Sequence, residues 1–179
     1  MGRGGNAAGL RGVTLIELVI ALAVLAIIVT LAVPSFGDAA LGARLSSYAN
    51  NLVVSANLAR SEAIKRNMVV QLCVSTTGTT CAGSGSWEQG WIILVRDNGQ
   101  VLHQQPAAAA GLRIIANGFR TIDFQPTGFG ATFAPTPVGA PQLTVCRASP
   151  TTGKQERVVA VTLTGRSSVS RTTTGTCPA

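Results

Sequence analysis

The sequence predicts an α+β protein: a long N-terminal helix packed on a mostly antiparallel β domain. Three observations carry this. Apolar residues crowd between Val13 and Val33. From Leu41 to Ala63 apolar residues recur at steps of three and four, as along one face of a helix. After Arg66 the composition shifts to Thr, Gly, Ser, Pro and Val, with short β-branched runs separated by turn residues.

The first element is basic and short. Residues 1–12, MGRGGNAAGLRG, are Gly-rich and carry Arg3 and Arg11. From Leu18 to Val33 the only polar residue is Thr30. With Val13 to Ile16 the apolar run reaches about 20 residues, enough to cross a bilayer core as a helix. Glu17 interrupts it, and a charge in hydrocarbon is costly unless something neutralises it. Arg3 and Arg11 precede the run and Asp38 follows it. The positive-inside rule then places the N-terminus in the cytoplasm and the rest of the chain outside.

The helical pattern does not stop at the apolar run, as it would after a simple secretory signal. Leu41, Leu45, Tyr48, Leu52, Ala56, Ala59 and Ala63 form one stripe. Arg44, Arg60, Glu62, Lys65 and Arg66 lie mostly off it, and Glu62 and Arg66 are spaced as a favourable surface pair. The expectation is one helix of about 50 residues. Pro34 removes a backbone donor from it and should kink it.

Strands should follow. "MVVQLCV" is β-rich, and "WIILVRDNGQVLHQ" reads as two strands joined at Asp-Asn-Gly. "LRIIA", "TIDFQ", "QLTVCR" and "RVVAVTLT" are further short runs, punctuated by Gly and Pro at "PTGFG" and "PTPVGAP". About six to eight strands are expected in all. "QQPAAAAG" reads as a loop, and Trp87 and Trp91 as packing residues.

Four cysteines, Cys73, Cys81, Cys146 and Cys177, all follow the apolar segment. An even count in a strand-rich domain outside the cytoplasm indicates two disulfides. Three pairings exist. Cys73–Cys81 with Cys146–Cys177 is favoured, because each closes a loop of turn residues and the second pins the C-terminal tail. Zinc fits poorly: no CxxC spacing occurs, and His103 is the only histidine. No metal, cofactor or catalytic residue is expected. The seven acids are scattered, Asp97 and Asp123 read as turn or strand-end residues, and no nucleophile–base–orienter set is visible. "GSGSW" is not a nucleophile elbow, and "TGFGAT" is not a dinucleotide fingerprint.

Gly12 followed by "VTLIEL" resembles the processing site of type IV pilins and type II secretion pseudopilins. The resemblance implies cleavage after Gly12 by a prepilin peptidase and N-methylation of Val13. It makes Glu17 the glutamate that meets the N-terminal amine of a neighbouring subunit during assembly, and aligns Pro34 with the family's kink. It implies a type IV pilin-like fold, held in the inner membrane by a single pass and later in a filament, with the C-terminal domain periplasmic. Expected partners are other pilin or pseudopilin subunits, the prepilin peptidase and the assembly machinery. The expected organisation is a leader at 1–12, a transmembrane half-helix at 13–33, an amphipathic half at 34–66 and a periplasmic β domain at 67–179.

Within that family, "NLARSEAIKRNMVVQLC", "SWEQGWIILVRDNG" and "VVAVTLTGRSSVS" are similar to the GspH/FimT branch of minor pilins. The loops at 104–112 and 125–142 are the least constrained. The resemblance implies a minor subunit at or near a filament tip, in protein secretion or pilus biogenesis. Some FimT-like members bind DNA through a Gly-Arg-x-Arg motif on the tail. Here Gly165 and Arg166 are followed by Ser167 and Ser168, with Arg171 further on. Arg166 and Arg171 are thus the candidate DNA contacts in a tail that also carries Arg147, Lys154 and Arg157. The net charge of +7 suits non-specific phosphate contact, and no aromatic follows Phe133 to stack bases.

Overall fold

A computed structural model describes residues 12–147, 156–172 and 177, with backbone alone at 31–36 and 38. The chain forms two compact units, Met1–Ala40 and Leu41–Ala179. One helix, α1 (Leu15–Arg66), runs through both ranges.

The end of α1 has a local cause. Asn67 adopts φ +53°, the left-handed conformation that stops a helix. Its amide donates to the Ile64 carbonyl and that of Met68 to the Ala63 carbonyl, both at 3.3 Å. This is a Schellman cap with Asn in the usual glycine position. Lys65 and Arg66 in the last turn complement the helix dipole, and Arg66 Nε donates to Glu62 Oε2 at 2.6 Å.

Nine strands follow among the described residues: β1 (Val70–Val74), β2 (Trp91–Val95), β3 (Val101–Gln105), β4 (Leu112–Ala116), β5 (Thr121–Phe124), β6 (Ala131–Ala134), β7 (Gln142–Arg147), β8 (Glu156–Val161) and β9 (Ser167–Thr172). They form a five-stranded sheet, β3-β2-β1-β5-β6, and a four-stranded sheet, β4-β7-β8-β9. The ladders between neighbours are antiparallel. The β2–β3 hairpin turns at Asp97-Asn98-Gly99, where Gly99 has φ +69° and its amide returns to the Val95 carbonyl.

Two sheets rather than one continuous set is the feature sequence did not reveal. The 125–142 segment was expected as loop and contains β6. Its four residues, Ala-Thr-Phe-Ala, hold one large apolar side chain, too short a run to show period-two alternation.

The stripe of α1 enters one core with inward residues of both sheets. Leu41, Leu45, Ala49, Leu52, Ala56, Ala59 and Ala63 are buried, and Tyr48 is half-buried. The Tyr48 hydroxyl accepts the Ala109 amide at 3.0 Å. Trp91 Nε1 donates to Ser55 Oγ at 2.9 Å with both side chains buried. Trp87 Nε1 donates to the Phe119 carbonyl at 3.1 Å, and Phe119 meets Trp87 and Phe133 edge-on. Both tryptophans thus pack with their N–H satisfied, as buried indoles require. At the end of the helix, Arg60 Nε donates to the Gly128 carbonyl at 2.8 Å. A Cβ on Gly128 would lie 2.8 Å from Ile64 Cδ1, and φ there is +74°, so the β5–β6 turn needs glycine to lie on the helix.

Asp123 sits within β5 and is buried rather than placed at a turn. It accepts from Gln71 Nε2 at 2.8 Å and from Arg96 Nη1 at 2.7 Å. A buried carboxylate persists because both its oxygens are satisfied.

Candidate functional site

The start of α1 is built by Thr14. The Glu17 amide donates to Thr14 Oγ1 at 3.3 Å, and the Leu18 amide to the Thr14 carbonyl at 3.1 Å. Thr14 is therefore the N-cap and Glu17 the third helical residue. Thr-x-x-Glu is the capping-box spacing, a signal present in the sequence and passed over there. Glu17 is the acidic residue of the first turn, where a carboxylate complements the helix dipole. Gly12 and Val13 precede the cap and are exposed, Val13 at 72%.

Leu15, Ile16, Leu18, Val19, Ile20 and Leu22 are each more than half exposed. This is an apolar surface that the described residues leave uncovered. Among the described residues no helix is long and apolar enough to cross a membrane. The described side chains of this segment run from Leu15 to Thr30, short of the about 20 residues a span needs. The backbone is helical at Pro34, but the kink expected there, like Arg3, Arg11 and Lys154, lies outside the described residues.

The cysteines are paired. Cys73 on β1 bonds Cys81, with Cα atoms 5.6 Å apart, and Cys146 on β7 bonds Cys177 at 5.8 Å. The first lies beside Ile92 and Leu94 in a small second cluster. The second ties the segment after β9 to β7.

The basic tail divides by register. Arg157 on β8 faces Arg171 on β9 across the ladder. Arg157 is buried, its Nε donating to Ser46 Oγ at 3.0 Å and its Nη1 to the Glu156 carbonyl at 3.1 Å. Its Nη2 lies 3.5 Å from the Gly42 carbonyl. Burial, then the nearby Arg171 charge, pull its pKa below the ordinary guanidinium value. Arg157 fastens β8 to the helix and is spent there, which sequence order could not reveal.

Arg166 and Arg171 are exposed, and among the described residues neither has an acidic partner. They are not neighbours: five residues of extended strand separate them by about 17 Å. Arg166 stands in the β8–β9 turn, whose Gly165 has φ +79°. A Cβ there would touch Arg60 and Phe124 at 3.6 Å, which places Arg60, not Arg171, beside the Gly165-Arg166 turn. The turn is fixed by Thr162 Oγ1, which accepts the Arg166 amide at 3.0 Å, and by Ser167 Oγ, 2.9 Å from Asn57 Oδ1. His103 is exposed on β3, and among the described residues no group of three or more His, Cys, Asp or Glu could hold a metal.

Known proteins are similar to this chain in sequence motif and in fold. The chain matches the prokaryotic N-terminal methylation motif over residues 10–33, the stretch containing Gly12, Val13, Thr14 and Glu17. It matches the family described as Type II transport protein GspH over residues 48–165. No curated protein sequence matches it significantly. Among solved structures, the type IV minor pilin FimU of Pseudomonas aeruginosa is similar in two crystal forms. One is 22% identical with a TM-score of 0.54, covering 70% of this chain and 87% of that one. The other is 20% identical with a TM-score of 0.50, covering 70% and 92%. At these identities the likeness is one of fold. With the helix, the sheets and the methylation motif in chain order, the protein belongs to the GspH family of pilin-like type II transport proteins.

Proposed function

We propose that the chain is a minor pseudopilin or minor pilin subunit, cleaved after Gly12 and N-methylated at Val13. The helix over 13–33 holds it in the inner membrane in a single pass, N-terminus cytoplasmic and β domain periplasmic, until it joins a filament at or near the tip. The observation that carries this reading is the match of residues 10–33 to the methylation motif, placed directly on the capped start of α1. Removing residues 1–12 leaves Val13 with a free amine one residue ahead of the cap. Glu17 lies one helical turn beyond, where an amine in low dielectric is its natural counter-charge. A neighbouring subunit supplies that amine in the assembly. In the lone subunit water or its own amine does.

The test is Glu17→Ala in the full chain. Cleavage at Gly12 should remain largely intact, while co-isolation with other pilin-like subunits drops. Normal incorporation of the variant would sink the role given to Glu17.

A second reading, DNA contact in natural transformation, is favoured by one observation: Arg166 and Arg171 are exposed, without acidic partners among the described residues. Phosphate contacts of this kind are sequence-independent and weaken steeply with salt. Arg166→Ala and Arg171→Ala should each reduce duplex retardation by the full chain in detergent at low salt. Unchanged retardation in both removes the hairpin from DNA binding.

A further inference from the structure

The last turns of α1 meet two turns of the β domain. Arg60 Nε donates to the Gly128 carbonyl in the β5–β6 turn at 2.8 Å. The same side chain lies 3.6 Å from where a Cβ on Gly165 would stand, in the β8–β9 turn. The two turns also touch each other, the Ala131 amide donating to the Leu163 carbonyl at 2.7 Å. Arg60 is thus wedged between two glycines. The residue after each glycine, Phe129 in one turn and Arg166 in the other, is exposed.

Phe129 is 72% exposed, and among the described aromatic side chains it alone is exposed. Its turn is held at several points. The Gln125 amide donates to the Gly130 carbonyl at 3.2 Å, and the Gly128 amide to the Gln125 carbonyl at 3.1 Å. The Thr127 hydroxyl accepts the Phe129 amide at 3.3 Å and donates to the Phe129 carbonyl at 2.8 Å. A ring presented on a fixed turn pays little ordering entropy when a partner covers it. Ile64 and Leu163, each more than half exposed, add aliphatic surface beside it. Ile64 adjoins Gly128, and the Leu163 carbonyl holds Ala131.

The charge there has one sign. Among the described residues Arg60 and Arg166 have no acidic partner. Glu62, the acid nearest Arg60 in sequence, is taken by Lys65 at 3.7 Å and Arg66 at 2.6 Å. Exposed aromatic rings and arginines are the side chains that concentrate where proteins meet. Guanidinium groups suit carboxylates and phosphates alike. The apolar surroundings decide between them: Ile64 and Leu163 can bury an aliphatic side chain, but gain nothing from a sugar–phosphate backbone.

We infer that this surface docks an acidic segment of another polypeptide. Its aliphatic side chains cover Phe129, Ile64 and Leu163, and its carboxylates meet Arg166 and the Arg60 guanidinium. The inference goes beyond the pilin-like reading and does not depend on membrane insertion or on Glu17. It assigns Arg166 to a protein partner rather than to DNA.

The test uses the isotope-labelled full chain in detergent micelles and a short capped peptide of alternating glutamate and leucine. The peptide should shift the amide resonances of Phe129 and Arg166, with half-saturation at about 0.1 mM. Phe129→Ala and Arg166→Glu should each weaken binding about tenfold. Both side chains are exposed, so neither change opens the core. Arg44→Glu makes the same charge change about 24 Å from Arg60 along α1 and should alter binding less than about twofold. Equal binding of a peptide with glutamine in place of glutamate would overturn the inference in favour of plain apolar contact. An equal loss in Arg44→Glu would overturn it in favour of non-specific charge. Oligothymidine that displaces the peptide at lower concentration, and loses this ability in Phe129→Ala, would overturn it in favour of base stacking. No shift at about 1 mM peptide also overturns it.

Discussion

Thr14 Oγ1 accepts the amide of Glu17 at 3.3 Å, so the residue proposed for assembly is held by the residue that starts the helix. Thr14→Ala removes that acceptor and should cost the helix start about 1 kcal/mol. Thr14→Ser should restore it. Amide exchange at residues 15–18 in micelles measures the fraying. Thermal unfolding of residues 41–179 should not move, since Thr14 belongs to the other unit.

Ser55→Ala should destabilise the β domain by about 1–3 kcal/mol, because it strands the buried Trp91 indole N–H. Ser55→Thr keeps the acceptor and should cost less. Urea unfolding followed by tryptophan fluorescence reads the difference. A loss under about 0.5 kcal/mol for Ser55→Ala would mean that the indole finds another acceptor.

Glu88 gives the domain a pH dependence on the acid side. Burial opposes its charge, but hydrogen bonds from Ser86, the Glu88 and Ile114 amides and Arg113 outweigh that and hold its pKa below the ordinary 4.5. A depressed carboxyl adds stability that is fully present above the unfolded value and lost as pH falls through the folded one. Stability should therefore decline as pH drops below about 4.5. Glu88→Gln should flatten part of that slope while lowering stability at pH 7. Unfolding midpoints between pH 3 and pH 7 give the comparison; an unchanged slope would assign the acid sensitivity elsewhere.

The two disulfides should differ in weight. Cys73–Cys81 spans a separation of 8 and Cys146–Cys177 one of 31. By loop-closure entropy they contribute about 2.5 and about 3.7 kcal/mol. Paired Cys→Ser substitutions at Cys146 and Cys177 should lower the unfolding midpoint more than those at Cys73 and Cys81. The reverse order would show that entropy of the unfolded chain does not govern here.

The parts of the fold legible in sequence were those with a period or a strong turn. The α1 stripe from Leu41 to Ala63 was visible because steps of three and four repeat over six turns, and the β2–β3 hairpin because Asp-Asn-Gly follows "WIILV". Ala49 was missed beside Tyr48: both positions touch the core, and only packing decides that the smaller one is fully covered. β6 was too short to show alternation. The division of the strands into two sheets depends on pairings such as Leu112 with Arg147 that no local window contains. At the functional end, Thr-x-x-Glu was readable but was overshadowed by the charge of Glu17. The division of labour between Arg157 and Arg171 was not readable, because it arises from their register across β8 and β9 and from Ser46 on the helix.

Arg157 grips α1 at Gly42 and Ser46, and Arg60 reaches from α1 to Gly128. Gly42 and Arg60 are about 27 Å apart along the helix axis. In the filament proposed above, tension carried by the helix would load these two arginine attachments in shear. The helix cannot creep past the sheets by one turn without breaking these attachments together with the hydrogen bonds at Tyr48, Ser55 and Asn57 between them, so the domain should yield abruptly under tension rather than slide.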